Sequence, residues 1–273
     1  MLATIRLRTT VLAAALSFVP FVAAEAAPPL LQHRAIYDLS LERKSGGTGV
    51  SSLNGRLVIE TTGSACVGYT VNFRLVSQFA DGDGRSTTSD LRSLTHEGGN
   101  GDEFRFVTKN YVNDKLSEES DGLARRNGSE GIAVTLTKPE DKNVHIEQKV
   151  LFPTEHLTRL IAAAERGDTL VRADVFDGSE SGEKIYTTSA IIGREGIGDT
   201  EPVEGIEGVR HWPVTVSYYE GRKPGEQVPV YELSFDLFAN GVSGNLMLDY
   251  GEFSVRGKLT ALEVLGSPIT CNP

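Results

Sequence analysis

The stretch GSACVGYTVNFRLVSQF, Gly63 to Phe79, decides the fold. From Tyr69 onward the odd positions Tyr69, Val71, Phe73, Leu75 and Phe79 are apolar, while the even positions include Thr70, Asn72, Arg74 and Gln78. Successive side chains of a strand point to opposite faces, so this alternation predicts a strand with one covered face and one wet face. It begins just after Cys66, in a chain whose other cysteine is Cys271. What that cysteine pairs with, and what the apolar face covers, are the two questions the rest of the chain must answer.

The same alternation recurs outward in both directions, in segments such as RAIYDLSLE (34–42), DEFRFVTKNYVND (102–114) and VPVYELSFDLFANG (228–241). About a dozen such segments can be counted, separated by turn clusters rich in Gly, Asn and Asp. Their frequency predicts an all-β protein: one large, curved antiparallel sheet or open barrel in a single domain over 27–273. One segment departs from the pattern. FPTEHLTRLIAAAERGD places Leu157, Leu160, Ile161 and Ala164 at helical spacing, with Pro153 and Thr154 before them and Gly167 after. These are the start and stop signals of a short amphipathic helix. A single helix must lay its stripe on the sheet, within its concavity. Tyr69, Val71, Phe73 and Leu75 of the strand, with Leu157, Leu160 and Ile161 of the helix, are therefore the candidate lining of a ligand cavity. The alternative is that the same residues fill a solid core.

At the N-terminus, Arg6 and Arg8 precede an apolar run from Val11 to Val22 and then small residues at Ala23–Ala27. This reads as a cleaved signal peptide over residues 1–26, with processing after Ala24 or Ala26, and no further segment suited to spanning a membrane. Removal of Arg6, Arg8 and Glu25 leaves 25 Lys and Arg against 36 Asp and Glu, a net charge of −11. Such an acidic chain offers no basic surface for nucleic acid. In an exported chain, Cys66 and Cys271 form an even pair in an oxidising compartment, which favours a disulfide over two buried thiols. Closing a loop of that length stabilises a fold by roughly 5 kcal/mol in the chain-entropy account.

Motifs that would carry chemistry are missing their key residues. The histidines, His33, His96, His145, His156 and His211, show no metal-ligand spacing. DGDG at Asp81–Gly84 begins like a calcium loop, but Arg85 and Arg92 stand where ligands are needed, so a turn is expected. GSESG at Gly178–Gly182 has Glu180 where a nucleophile elbow has serine. No catalytic residue, metal site or cofactor is expected.

Several ordered segments, among them HRAIYDLSL, GRLVIETTGSACVGYTVNFRLV, LFPTEHL, DVFDGSESGEKIYTTSAIIG, PVYELSFDLFANGVSGNLMLDYGEFSVRGKLTALE and the terminal Cys271, resemble the cell envelope integrity protein EipB family over His33 to Cys271. The resemblance implies a periplasmic β-spiral of Gram-negative bacteria with a helix in its concavity, similar in architecture to the lipoprotein carriers LolA and LolB and to RseB. It also implies a disulfide at Cys66 and Cys271, and a tetratricopeptide-repeat periplasmic protein as partner. No catalytic residues are carried over from the family.

The reading that joins residues and resemblance is a non-enzymatic periplasmic protein supporting envelope integrity, which binds a lipid or lipoprotein segment, a protein partner, or both. The competing readings are an envelope-polymer hydrolase with a carboxylate site, and a structural module whose loops Gly193–Val209 and Glu220–Pro229 dock a partner without any cavity.

Overall fold

The computed structural model describes residues 29–45, 49–128, 131–196, 205–221 and 228–266. The expected signal peptide and Cys271 lie outside these ranges, as do the middles of the loops Gly193–Val209 and Glu220–Pro229.

Eight strands form a first antiparallel meander: β1 (Gln32–Lys44), β2 (Ser52–Ser64), β3 (Gly68–Ala80), β4 (Ser86–Glu97), β5 (Glu103–Val112), β6 (Lys115–Asn127), β7 (Gly131–Lys138) and β8 (Lys142–Ile146). Helix α1 (Pro153–Arg166) follows. Six strands then run back as β9 (Leu170–Val175), β10 (Tyr186–Ile192), β11 (His211–Glu220), β12 (Tyr231–Phe238), β13 (Ser243–Asp249) and β14 (Phe253–Gly266). Because β14 pairs with β1, all 14 strands belong to one sheet whose edges are β8 and β9. Every chain neighbour is also a sheet neighbour except that pair, and the connection across this seam is α1. At the seam the chain just before α1 touches the β9 edge. Leu151 N–H donates to Asp174 O at 2.8 Å, and Phe176 N–H donates to Leu151 O at 3.0 Å. The result is the open, curled barrel with one helix that the alternation implied.

Two of the strands, β4 and β6, have no counterpart among the apolar-alternating segments. Their sequences, STTSDLRSLTHE and KLSEESDGLARRN, carry few apolar residues on either face. They are held by long ladders with their neighbours instead of by a greasy face of their own.

The interior divides into two cores. The larger joins β1–β3 and β9–β14 with the helix, burying Leu160, Ile161, Ala163 and Ala164 among Tyr37, Leu57, Trp212 and Val214. The smaller belongs to the rolled-in end of the sheet, β5–β8, and is aromatic. Phe104 stacks on Phe106 and on Phe152 at centroid separations of 5.6 and 5.0 Å, and Phe176 meets Phe106 edge-on at 5.7 Å. Phe152 and Phe176 come from the two sides of the seam, so this core also latches it.

The helix ends are made in two different ways. Gly167 sits in the left-handed region at φ 80° and its N–H turns back to the carbonyls of Ala163 and Ala164, so a glycine stops the helix as its position in the sequence suggested. At the other end the capping position is Phe152, which has no side-chain acceptor. The acceptor comes from across the sheet: the buried Glu97 carboxylate, at the end of β4, takes the N–H groups of Thr154 and, at 3.1 Å, Glu155. A carboxylate is favoured there by the unpaired N–H groups and the positive end of the helix dipole. Arg126 of β6 completes the anchor. It pairs with Glu155, donates to Val150 O at 2.9 Å and to Gly101 O at 2.7 Å, and lies 4.7 Å from the Phe152 ring centroid.

Replacing Glu97 by Ala strands two buried N–H groups at the start of α1. The expected loss of stability is about 1–3 kcal/mol, read by urea unfolding. A variant as stable as the parent would show that the helix is held by its apolar stripe alone.

Candidate functional site

The curled sheet encloses more volume than one helix fills. Between α1 and the inner faces of β1–β3 and β11–β14 lies a cavity of about 450 Å³, within the range of small-ligand sites. Its walls are overwhelmingly apolar. On one side they are Leu39, Leu57, Ile59, Phe73, Leu75 and Phe79, and on the other Val216, Leu233, Phe235, Leu246, Leu248 and Val255. Leu157 and Leu160 of the helix form the lid, with Pro153 and His156 beside them. Phe73, Leu75 and Phe79 are only half-buried, as side chains facing an unfilled space are and those of a solid core are not.

Of the seven lining candidates read from the sequence, Phe73, Leu75, Leu157 and Leu160 line this cavity. Val71 is not in its wall but lines an adjoining chamber. Tyr69 and Ile161 line neither. Tyr69 is buried in the larger core with its hydroxyl accepting from Leu30 N–H at 3.2 Å, and Ile161 is fully buried on the flank of the helix that meets the sheet. Alternation identifies a face, but it does not show where along that face the core ends and the void begins. Missed altogether were the aromatic residues of the far wall. Tyr218 and Tyr231 stack at 4.4 Å, and Tyr250 stacks on Phe253 at 5.0 Å. The run of aromatic residues in VTVSYYEG, VPVYEL and LDYGEF was visible in the sequence as a signal for them.

Burial shifts the ionisable groups at the cavity toward their uncharged forms. Desolvation, assisted by the charge of Arg159, drives the His156 imidazole down to about 4, so the ring is neutral at pH 7. The phenols of Tyr218 and Tyr231 are shifted upward, first by desolvation and then by the nearby charge of Asp177 among others. Asp177 itself is pushed up by desolvation, against hydrogen bonds from Ser179, whose N–H donates to Oδ1 at 2.9 Å. Glu97 at the helix start is likewise raised by burial, with the two helix N–H groups opposing the shift.

The remaining sequence motifs resolve into structure. Asp81 Oδ1 accepts from the N–H groups of Asp83 and Arg85 at 2.9 and 2.8 Å, making DGDG a side-chain-closed turn. GSESG forms a tight turn with left-handed backbone at Glu180, Ser181 and Gly182, laid on the aromatic core. A Cβ on Gly178 would come within 2.4 Å of Phe106 Cγ, which is why glycine stands there. Among the described residues no group of three or more His, Cys, Asp or Glu side chains is arranged to hold a metal ion. Nor is any described helix long and apolar enough to cross a membrane. Cys66 lies exposed in the turn between β2 and β3.

Comparison with known proteins places this architecture. The model of the EipB-like family matches residues 24–266. The chain belongs to the EipB-like family. Over 250 residues it is 35% identical to the cell envelope integrity protein EipB of Brucella abortus (strain 2308), a match spanning 90% of this chain and 89% of that protein. The crystal structure of a β-barrel-like protein of a domain of unknown function from Brucella abortus is similar with a TM-score of 0.83 and 34% identity, over 88% of this chain and 100% of that one.

The neutral, buried His156 makes stability pH-dependent. Its folded-state value lies below the unfolded one, so the unfolded chain takes up the proton first and stability falls as pH drops from about 6.5 toward about 4. The expected contribution at pH 5 is about 2 kcal/mol. His156→Gln should remove that part of the loss between pH 7 and pH 5 in urea titrations. The comparison isolates His156 from Glu97 and Asp177, whose raised carboxyls act in the opposite sense. An undiminished loss in the variant would contradict the assignment.

Proposed function

We propose that this chain is a non-enzymatic periplasmic protein that supports cell envelope integrity by sheltering the apolar part of a lipidic ligand in the cavity beneath α1. The observation that carries the reading is the cavity itself: about 450 Å³ with apolar walls, a neutral histidine and half-buried wall residues. The name of the Brucella relative, a cell envelope integrity protein, supports the envelope role, and the leader-like residues 1–26 support export. The acid in the cavity wall is Asp177, which accepts from Ser179 N–H at 2.9 Å, and Glu180 beyond it pairs with Lys184 while accepting from the Tyr186 hydroxyl at 2.7 Å. This favours binding over hydrolysis. The family resemblance adds a tetratricopeptide-repeat protein as the proposed partner, and a Cys66–Cys271 bridge as the staple of the C-terminal tail.

Native mass spectrometry of protein released gently from its own periplasm is expected to show an added small-molecule mass that denaturation removes. Leu75→Trp, which narrows the cavity, should diminish that mass while leaving the fold intact by circular dichroism. A bare chain in the parent protein, or an undiminished adduct in the variant, would overturn the proposal. For the staple, Cys66→Ser should cost roughly 2–5 kcal/mol of stability under oxidising conditions. A variant with the parent's melting temperature would show the bridge to be absent or idle.

A further inference from the structure

The inner face of the sheet changes character along single cross-strand rows. The register sets Ala35 of β1, Ile59 of β2 and Phe73 of β3 side by side, and the same row continues through Ser93 of β4, Thr108 of β5 and Ser120 of β6. In the next row Leu57, Leu75 and Leu91 give way to Asn110 and Glu118. Hydroxyls and an amide on the concave face of a sheet would be costly in a solid core. Here they line a second chamber of about 400 Å³, which shares Phe73, Pro153 and Asp177 with the apolar cavity.

The second chamber has a mixed wall, in which Val71, Phe73 and Leu91 stand beside the polar side chains. Ser93 Oγ and Thr108 Oγ1 are 3.0 Å apart, and Ser120 donates to Gly178 O at 2.9 Å. Ser179, also in the wall, has its hydroxyl buried beside the Asp177 carboxylate. Among the described residues the only charged side chains in the wall are acids, Asp177, Glu118 and Glu180, and no Lys, Arg or His reaches it. A phosphate or carboxylate would therefore lack the cationic donors that normally receive it, and would sit against Asp177 in a poorly solvated site. A polyol both donates and accepts, as the serine, threonine and asparagine side chains around it do.

We propose that this chamber is a head-group subsite: it accepts the uncharged, hydroxyl-rich head of an amphiphile, such as a glycosyl or glyceryl group, whose tail lies in the adjoining apolar cavity, and it discriminates against anionic heads. The proposal rests on the cavity reading above. Shared walls at Phe73 and Pro153 mark where tail becomes head, and Asp177 lies at the same boundary.

The test uses the full chain and amphiphiles with one tail and different heads: decyl glucoside, decanoate and decyl phosphate, each below its micelle threshold, with the uncharged dye N-phenyl-1-naphthylamine reporting on the apolar cavity alone. Calorimetric titration should show decyl glucoside binding about tenfold or more tighter than either anion. The paired change Ser93→Ala with Thr108→Val removes both members of a hydrogen-bonded pair, so neither is left stranded. It should weaken decyl glucoside about fivefold while leaving dye binding unchanged. Dye binding without any head-group preference, tighter binding of an anion, or an unaltered glucoside affinity in the paired variant would overturn the subsite and leave the cavity standing. Failure of the dye and of all the amphiphiles to bind would overturn both.

Discussion

The structure depends on how one helix is fixed at the seam of an otherwise continuous sheet. Fourteen strands in a meander leave two free edges, and β8 and β9 are where the ring stops. Free edges invite pairing with other chains. Here the chain that links them makes one backbone bond to β9 and one to Phe176 just after it and then enters α1, whose first N–H groups are received by Glu97 from β4. The partners of that helix start come from β4 and β6, strands remote in sequence, so seam, helix and rolled-in sheet end form one cooperative unit. The aromatic cluster of Phe104, Phe106, Phe152 and Phe176 packs the same junction from beneath.

The cavity follows from that arrangement. A sheet this wide curls around a larger space than a helix of 14 residues can occupy, and the helix is held toward the seam by its N-terminal anchor. The space left over is walled by residues whose neighbours are missing on one side. Outside, the sheet carries ion pairs between adjacent strands, such as Arg74 with Asp90 and Arg34 with Glu60, and Arg92 of the same strand adds to Asp90. Asp90 is held down at about 2 by hydrogen bonds from the two guanidinium groups. Exposed pairs of this kind contribute little to stability, and their consequence is a charged outer face that keeps the apolar chemistry inside.

Much of the fold was legible in the sequence. Tyr69–Phe79 showed its covered face, Pro153 and Gly167 marked the helix, and the turn clusters divided the strands. What escaped was β4 and β6, and the reason is physical. Period-two hydrophobicity reports burial against apolar neighbours, and these two strands give Ser93, Thr95 and Ser120 to the mixed wall of the second chamber. The strands that could not be read were thus those with the least ordinary inner face. The helix anchor escaped for a related reason: nothing local marks Glu97 as a cap for residues 154 and 155, because the contact is made only when the sheet has curled. Of the expected cavity wall, Phe73 and Leu75 from the hydrophobic alternation face the apolar cavity. The alternation gave no means of separating them from Tyr69, whose hydroxyl is taken up by a backbone N–H in the core.

The central claim is that the apolar space beneath α1 receives a ligand. Methyl NMR of the full chain on addition of decyl glucoside tests it most directly, because the cavity wall and the second core both carry methyl groups. The account predicts progressive shifts of the Leu57, Leu75, Leu157 and Leu246 methyls, with Ile132, Val134 and Leu136 of the aromatic core unmoved. Shifts confined to exposed methyls such as those of Val67 and Ile191, or spread evenly over both cores, would contradict it.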